Sequence, residues 1–366
     1  MHRQRPNKLP SGGPRKPPRL FVLAGAAAAC IALAAAGMAA QPASPNGAPA
    51  NVPAPQASDQ PQAQAIEAST LTDELAPEAQ APLLVKVETL LDRAHFSPGA
   101  IDGQAGANLH NALRAYAQAH GLPSDGTLTP QVFAALAAAD KGPVTQTYTI
   151  TGEDEKGPFI GRVPRKFSAL AKLRHLGFRD PVQELAERFH MSEALLRSLN
   201  PSANFRAPGT EIVAVRPGNG DLGNAVARVE VNKSDDQVKV FDGTGSVIAT
   251  FPATVGNTER PAPSGRWHVK FVTFNPTYIY NPRRLTFGDK SKGVLTIAPG
   301  PNNPVGTTWI ELTKPTYGIH GSPDPERVGK TASHGCVRLT NWDAATLGHA
   351  VSKGTPVLFV GQTNKG

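Results

Sequence analysis

Three residues near the C-terminus could do chemistry together: His320, His334 and Cys336. A cysteine attacks a carbonyl as the thiolate, and a free thiol near neutral pH is mostly protonated. It needs a base within hydrogen-bond reach. His334 stands two positions before Cys336. In an extended strand, residues i and i+2 share a face with Cα atoms about 6.5–7 Å apart, so contact is permitted but not forced. His320 lies in Tyr317-Gly318-Ile319-His320-Gly321-Ser322, where a short strand ending in His-Gly delivers an imidazole to a loop mouth. Gly335 lets backbone N–H groups approach an incoming carbonyl oxygen with no side chain in the way. Such donors form an oxyanion hole, and losing one costs about 3 kcal/mol of barrier stabilisation. Arg338 adds a cation able to bind a carboxylate bidentately. The pattern suits acyl transfer through a thioester.

Two blander arrangements use the same residues. His320, His334 and Cys336 could hold zinc, which accepts three protein ligands at catalytic sites. The nearest acid is Asp324 and no acidic cluster surrounds the three, so no metal or other cofactor is expected. Alternatively, the histidines only cap hydrogen bonds in a turn.

The compartment sharpens the question. A basic stretch ends at Arg19, and Leu20 to Ala40 follows without a charge. Met38-Ala39-Ala40-Gln41 offers small residues to a signal peptidase, so residues 1–40 read as an export signal or an uncleaved membrane anchor. The chain has two cysteines, and removal of the leader takes Cys30 away. A solitary thiol in an oxidising compartment is a liability unless it acts, or is buried as a structural residue.

Charge does not point to nucleic acid. Of the net +8, residues 1–20 contribute six basic groups and no acid; residues 41–145 contribute four basic and ten acidic groups; the +6 and −6 cancel, leaving +8 on residues 146–366. No nucleic-acid motif accompanies it. A polymer rich in carboxylates suits the basic C-terminal part as well.

The positioning elements change character along the chain. Residues 41–82 are rich in Pro, Ala and Gln without an aromatic residue, and read as a disordered linker. Residues 83–142 hold a short repeat: Asp102-Gly103 precedes Ala112-Leu113 as Asp125-Gly126 precedes Ala135-Leu136. Each Asp-Gly marks a tight turn. Helix starts follow at Asn108 and at Thr129-Pro130, and an earlier helix carries Leu84, Val87, Leu90 and Leu91 on one face. A small all-α bundle is expected, and it resembles the small helical peptidoglycan-binding domain.

Residues 147–216 read as a small α+β module: a strand near Tyr148-Thr149-Ile150, a helix opened by Asp180-Pro181, a second capped by Met191-Ser192, and a strand over Gly209 to Val215. The tract ELAERFHMSEALLRSLNPS resembles the second half of a LysM glycan-binding module. A basic insertion, residues 152–179, stands where that module has a short turn. It carries Arg162, Arg165, Lys166, Lys172, Arg174 and Arg179. Residues 226–360 then alternate as β-strands. Asp242-Gly243-Thr244-Gly245 forms a hairpin turn, and a helix follows Cys336 from Trp342, with Thr340 and Asp343 spaced as a capping box. The whole chain is expected to be multidomain, ending in a mostly-β sandwich with one late helix.

The tract 261–339 resembles the L,D-transpeptidase catalytic family. The matching pieces stand in order: PAPSGRWHV at 261–269, NPTY at 275–278, GPNNPVGTTWIEL at 300–312, then YGIHGS at 317–322 and SHGCVRL at 333–339. Twelve residues separate His320 from Ser333, which suits the family. The resemblance implies that Cys336 is the nucleophile and His320 its base, with the Gly321 carbonyl orienting the imidazole. It implies that Ser333, His334 and Gly335 shape the acyl site. Some branches carry Asn where Arg338 stands, so Arg338 either binds a stem carboxylate or braces the loop. The implied partners are peptidoglycan stem peptides and glycan strands. Cys336 would attack a tetrapeptide stem after its third residue, expel D-alanine, and pass the acyl group to an amine of another stem or of a lipoprotein lysine. The implied location is the periplasm or cell envelope. Transfer to water, giving an L,D-carboxypeptidase, and a non-catalytic wall-binding protein remain the alternatives.

Overall fold

A computed structural model describes residues 60–72, 77–123, 125–223, 226–256, 261–283, 293–331 and 335–362. The expected leader, residues 1–40, lies outside them. Among the described residues no helix is long and apolar enough to cross a membrane.

The stretch read as a linker contains order. Helix α1, Gln60–Ala68, buries Ile66 against the following helices. The Glu67 carboxylate accepts from the Thr145 N–H (2.7 Å) and hydroxyl (2.6 Å), and Lys86 Nζ donates to the Glu67 and Ser69 carbonyls. One apolar residue and these long-range bonds hold what composition alone leaves free. Helix α2, Pro77–Arg93, buries Leu83, Val87, Leu90 and Leu91. Helix α3, Ala107–Ala119, turns Leu109, Ala112, Leu113 and Tyr116 inward, the i, i+3, i+4, i+7 stripe of a packed helix. Helix α4, Pro130–Ala139, starts as its sequence predicts, with Thr129 accepting from the Val132 N–H and Pro130 in the first turn. Asn108 does not open α3. Its side chain is buried and donates to the Val328 carbonyl (3.0 Å) far along the chain.

The α+β module pairs β1, Thr145–Thr149, antiparallel with β2, Glu211–Val215. Between them run α5 (Gly152–Lys156), α6 (Phe167–Leu170), α7 (Pro181–Arg188) and α8 (Glu193–Leu199). Asp180 and Ser192 cap α7 and α8 by accepting from the Gln183 and Leu195 N–H groups. This module and the helical bundle share a single apolar cluster, in which Leu91 and Leu136 join Leu185, Met191 and Ile212.

The C-terminal region is one curled sheet, and the expected sandwich is corrected accordingly. Its strands are β3 (Arg228–Asn232), β4 (Gln237–Phe241), β5 (Val247–Pro252), β6 (Gly265–Phe274), β9 (Thr308–Leu312), β10 (Gly318–His320), β11 (Val337–Arg338) and β12 (Pro356–Val360). The order is β11-β10-β9-β6-β12-β3-β4-β5. The last strand decides the architecture. Strand β12 pairs parallel with β3 on one side and antiparallel with β6 on the other, so two sets of strands become one sheet. The sheet then curls until its edges meet. The Thr254 and Arg338 backbones exchange two hydrogen bonds of 2.9 and 3.0 Å, joining the end of β5 to β11. Apolar side chains such as Val229, Val240, Ile310 and Val357 fill the concave side with Leu347 of α9, Asn341–Ala350. Thr340 caps α9 by accepting from the Asp343 N–H (3.1 Å). A separate hairpin, β7 (Tyr278–Tyr280) with β8 (Leu295–Ile297), packs against the basic insertion through Tyr280, Ile297, Leu170 and Leu176.

Candidate active site

Strands β10 and β11 lie side by side and parallel, with Ile319 opposite Val337 and His320 opposite Arg338. Side chains alternate along a strand. His320, Arg338 and Cys336, two residues before Arg338, therefore share one face. In such a pair, diagonal neighbours come within reach of long side chains. The Leu339 N–H donates to the His320 carbonyl (2.8 Å), which locks the two segments together. Residues sixteen positions apart are thus brought together by backbone pairing. Ser333 and His334 lie outside the described residues.

The imidazole of His320 is buried and fixed. Its Nδ1 lies 2.7 Å from the Gly321 carbonyl, and its ring stacks on Trp309 at 5.5 Å between centroids. A carbonyl only accepts, so Nδ1 carries the proton and Nε2 the lone pair. Burial, with the Arg338 cation as the second cause, pushes the imidazole down to about 3. His320 is accordingly neutral at physiological pH.

Cys336 is partly buried, and burial pushes its thiol up. The Gly318 N–H and the Arg338 charge work the other way, stabilising the thiolate when it forms. Its sulfur also lies 3.9 Å from the Thr316 carbonyl. Thiol and imidazole are therefore each neutral at rest. Gly335 has φ of 114°, a left-handed conformation that disfavours a side chain, and a Cβ there would meet the Tyr317 ring at 3.3 Å. Tyr278 of β7 lies within electrostatic reach of Cys336 and Arg338; burial first, then Cys336, pushes its phenol up to about 12. It remains a neutral O–H donor.

Residues that sequence reasoning passed over hold the His320 loop in place. Asn341 packs its side-chain oxygen against Gly321, where no Cβ would fit, and accepts from the Thr307 N–H (3.1 Å). Its Nδ2 donates to both carboxylate oxygens of Glu187 on α7 (3.0 and 3.2 Å) and to the Pro301 carbonyl (3.3 Å). The loop bearing His320 is thus tied to the α+β module. No sequence signal marks this, because an Asn in the first helical turn reads as an ordinary helix start.

A buried neutral imidazole on the same face as a thiol, at the end of paired parallel strands, is an arrangement that cysteine-dependent acyl transfer can use. Residues 227–358 match the family described as the L,D-transpeptidase catalytic domain, and residues 80–136 match a peptidoglycan binding domain. Among curated relatives, YqjB of Bacillus subtilis, named as an L,D-transpeptidase, is 31% identical over 136 residues, covering 36% of this chain and 69% of that protein. YkuD of the same organism, also named as an L,D-transpeptidase, is 28% identical over 178 residues, 49% of this chain and 92% of that protein. The solved structure of LdtMt1 in complex with imipenem is 23% identical, covers 42% of this chain and 65% of that one, just under two thirds, and has a TM-score of 0.30. The catalytic domain of the Enterococcus faecium L,D-transpeptidase is 21% identical over 37% of this chain and 96% of that one, with a TM-score of 0.29. The chain belongs to the L,D-transpeptidase family of acyltransferases, and it carries a peptidoglycan-binding domain ahead of its catalytic one. Its partner is peptidoglycan, and its place is the cell envelope.

Proposed function

We propose that Cys336 is the nucleophile of peptidoglycan cross-linking and His320 its base. The observation that carries this reading is the imidazole held neutral by burial, with Nδ1 anchored on the Gly321 carbonyl. Its Nε2 lone pair is then available to a proton from the thiol. As Sγ bonds to the stem carbonyl carbon, Nε2 takes that proton and passes it to the departing nitrogen. The amide C–N bond breaks, D-alanine leaves, and a thioester remains. An acceptor amine then attacks the thioester. A new C–N bond forms, the C–S bond breaks, and the amine's proton returns through Nε2 to Sγ. Arg338, facing Cys336, stabilises the thiolate and is placed to meet a stem carboxylate. Ser333, His334 and Gly335 shape the acyl site in this reading.

The remaining parts serve delivery. The β1-α7-α8-β2 arrangement supports a LysM-like glycan-binding module at residues 147–216, with the insertion as its departure. Residues 1–40 act as an export signal or anchor that brings the chain to the periplasm. Tethering two wall-binding modules to the catalytic one raises the effective concentration of a polymer at the site. The acceptor is a second stem or a lipoprotein lysine.

The test is mass analysis of residues 41–366 incubated with tetrapeptide stems and with a carbapenem. The expected result is a covalent adduct on Cys336 and a cross-linked product with release of D-alanine. Cys336→Ala should keep its fold by circular dichroism and form no adduct; turnover by that variant would remove the nucleophile. Hydrolysis without cross-links, even with abundant amine, would assign the carboxypeptidase activity instead.

A further inference from the structure

A groove of about 1430 Å³ runs between the basic insertion and the loop that leaves His320. That volume exceeds the range of about 300–1000 Å³ for small-molecule sites, so it suits a polymer segment. Phe167, Leu170 and Met191 give it apolar surface. The insertion contributes Arg162, Arg165 and Lys166, which are exposed and pair with no carboxylate among the described residues. The acids of the groove are differently placed. Glu193 is held by Arg179, Glu326 accepts from the Glu193 N–H (3.2 Å), and Glu187 is held by Asn341. Asp324 is exposed, four residues after His320, in electrostatic reach of Arg338, and Arg327 lies beside it in the same loop.

The insertion that walls the groove also packs on the strand that borders Cys336. The insertion stacks Phe167 on Tyr280 at 4.4 Å between centroids, and Tyr278 on that same strand lies near Cys336. One body thus walls the groove and neighbours the nucleophile. An amine arriving along the groove would come in on the loop that carries His320, the base that must take its proton.

We infer that this groove binds the acceptor stem peptide of a second peptidoglycan strand, its carboxylates on Arg162, Arg165 and Lys166 and its amine led past Asp324 toward His320. The inference rests on the transpeptidase reading above. The charges fit a ligand that carries both signs: exposed cations on the insertion that pair with no carboxylate among the described residues, and an exposed carboxylate on the loop four residues after His320. The donor stem is left to the Cys336 and Arg338 side.

The test compares the triple variant R162E/R165E/K166E with K172E/R174E, whose exposed insertion cations lie outside the groove. Three rates are measured on the full exported chain: carbapenem acylation, thioester formation with donor tetrapeptide alone, and cross-linking at increasing acceptor stem. Exposed charge pairs each contribute a few-fold in affinity, so the triple reversal should raise the acceptor KM about tenfold. Both acylation rates should stay within about twofold of the parent, which also shows that the variant is folded. K172E/R174E should behave as the parent. An unchanged acceptor KM would overturn the inference. So would a matching loss in donor acylation, which would make the groove the donor's, or an equal effect of K172E/R174E, which would make it a general field. Failure of the parent itself to acylate would instead strike the transpeptidase reading.

Discussion

Cys336 keeps its proton at neutral pH because burial penalises the thiolate more than the Gly318 N–H and Arg338 favour it. His320 stays neutral for the matching reason, with Arg338 adding repulsion to burial. A charged resting pair would be reactive toward any electrophile; in the proposed mechanism the proton moves from thiol to imidazole only as an acyl carbon arrives. Alkylation by iodoacetamide should therefore be slow at pH 7 and should climb only above the ordinary thiol range of about 8.5. A rate that is already at its plateau at pH 6 would mean a preformed ion pair and would contradict the neutral assignment. The thiol, the imidazole and the Gly321 carbonyl beside it were all legible in the order YGIHGS and SHGC. Their protonation was not, since it depends on how much water the fold removes.

At the scale of elements, the site depends on α9 as much as on β10 and β11. Thr340 caps the helix, and the next residue, Asn341, packs on Gly321 and bonds Glu187. Thr340→Ala should cost about 1 kcal/mol of stability, read by chemical denaturation, as expected for loss of an N-cap. It should also slow carbapenem acylation, because Asn341 loses its fixed position, and Thr340→Ser should restore both. Unchanged acylation with reduced stability would limit Thr340 to a structural role. The capping pattern was readable three residues apart. The partners of Asn341 were not, because they come from residues 187, 301 and 307.

At the scale of the molecule, the three modules meet around ionisable groups. Asp92 and Ser97 come from the helical bundle, Glu187 and His190 from the α+β module, and Asp343 from α9. His190 faces Asp92 at 3.1 Å, Asp343 accepts from the Ser97 hydroxyl at 3.1 Å, and Trp342 stacks on the His190 ring. Burial pushes Glu187 up to about 7, with Asn341 and His190 opposing and Glu184 adding to it. Asp343 is likewise pushed up to about 7 by burial and then by Asp92, against Thr340, His190 and Ser97. Between about pH 4.5 and 7 the native state thus holds protons that the unfolded chain has lost, so stability falls as pH rises. His190, raised by Asp92 against burial, loses its contribution in the same direction as pH passes its native value. Asp92, held low by His190 despite burial, stabilises above its usual range and loses this only in stronger acid. Thermal unfolding should therefore show a higher midpoint near pH 5.5 than near pH 8. Glu187→Gln should flatten that difference; an equal or reversed dependence in the parent would refute the assignment.

Composition and local pattern by themselves determined the helical peptidoglycan-binding tract ahead of the catalytic one, the capped helices α4, α7 and α9, and the hairpin at Asp242. These depend on interactions within a few positions or on side-chain chemistry that travels with the residue. The single curled sheet was decided only in three dimensions, because β12 chooses its neighbours from strands about 90 and 130 residues away. The same holds for the ordered helix at Gln60–Ala68, whose stability comes from Thr145 and Lys86, and for the shared core of two modules that read as separate. It holds most of all for the candidate site. The meeting of His320 and Cys336 on one face follows from the parallel register of two short strands, and register is set by long-range hydrogen bonding rather than by the sequence of either strand alone.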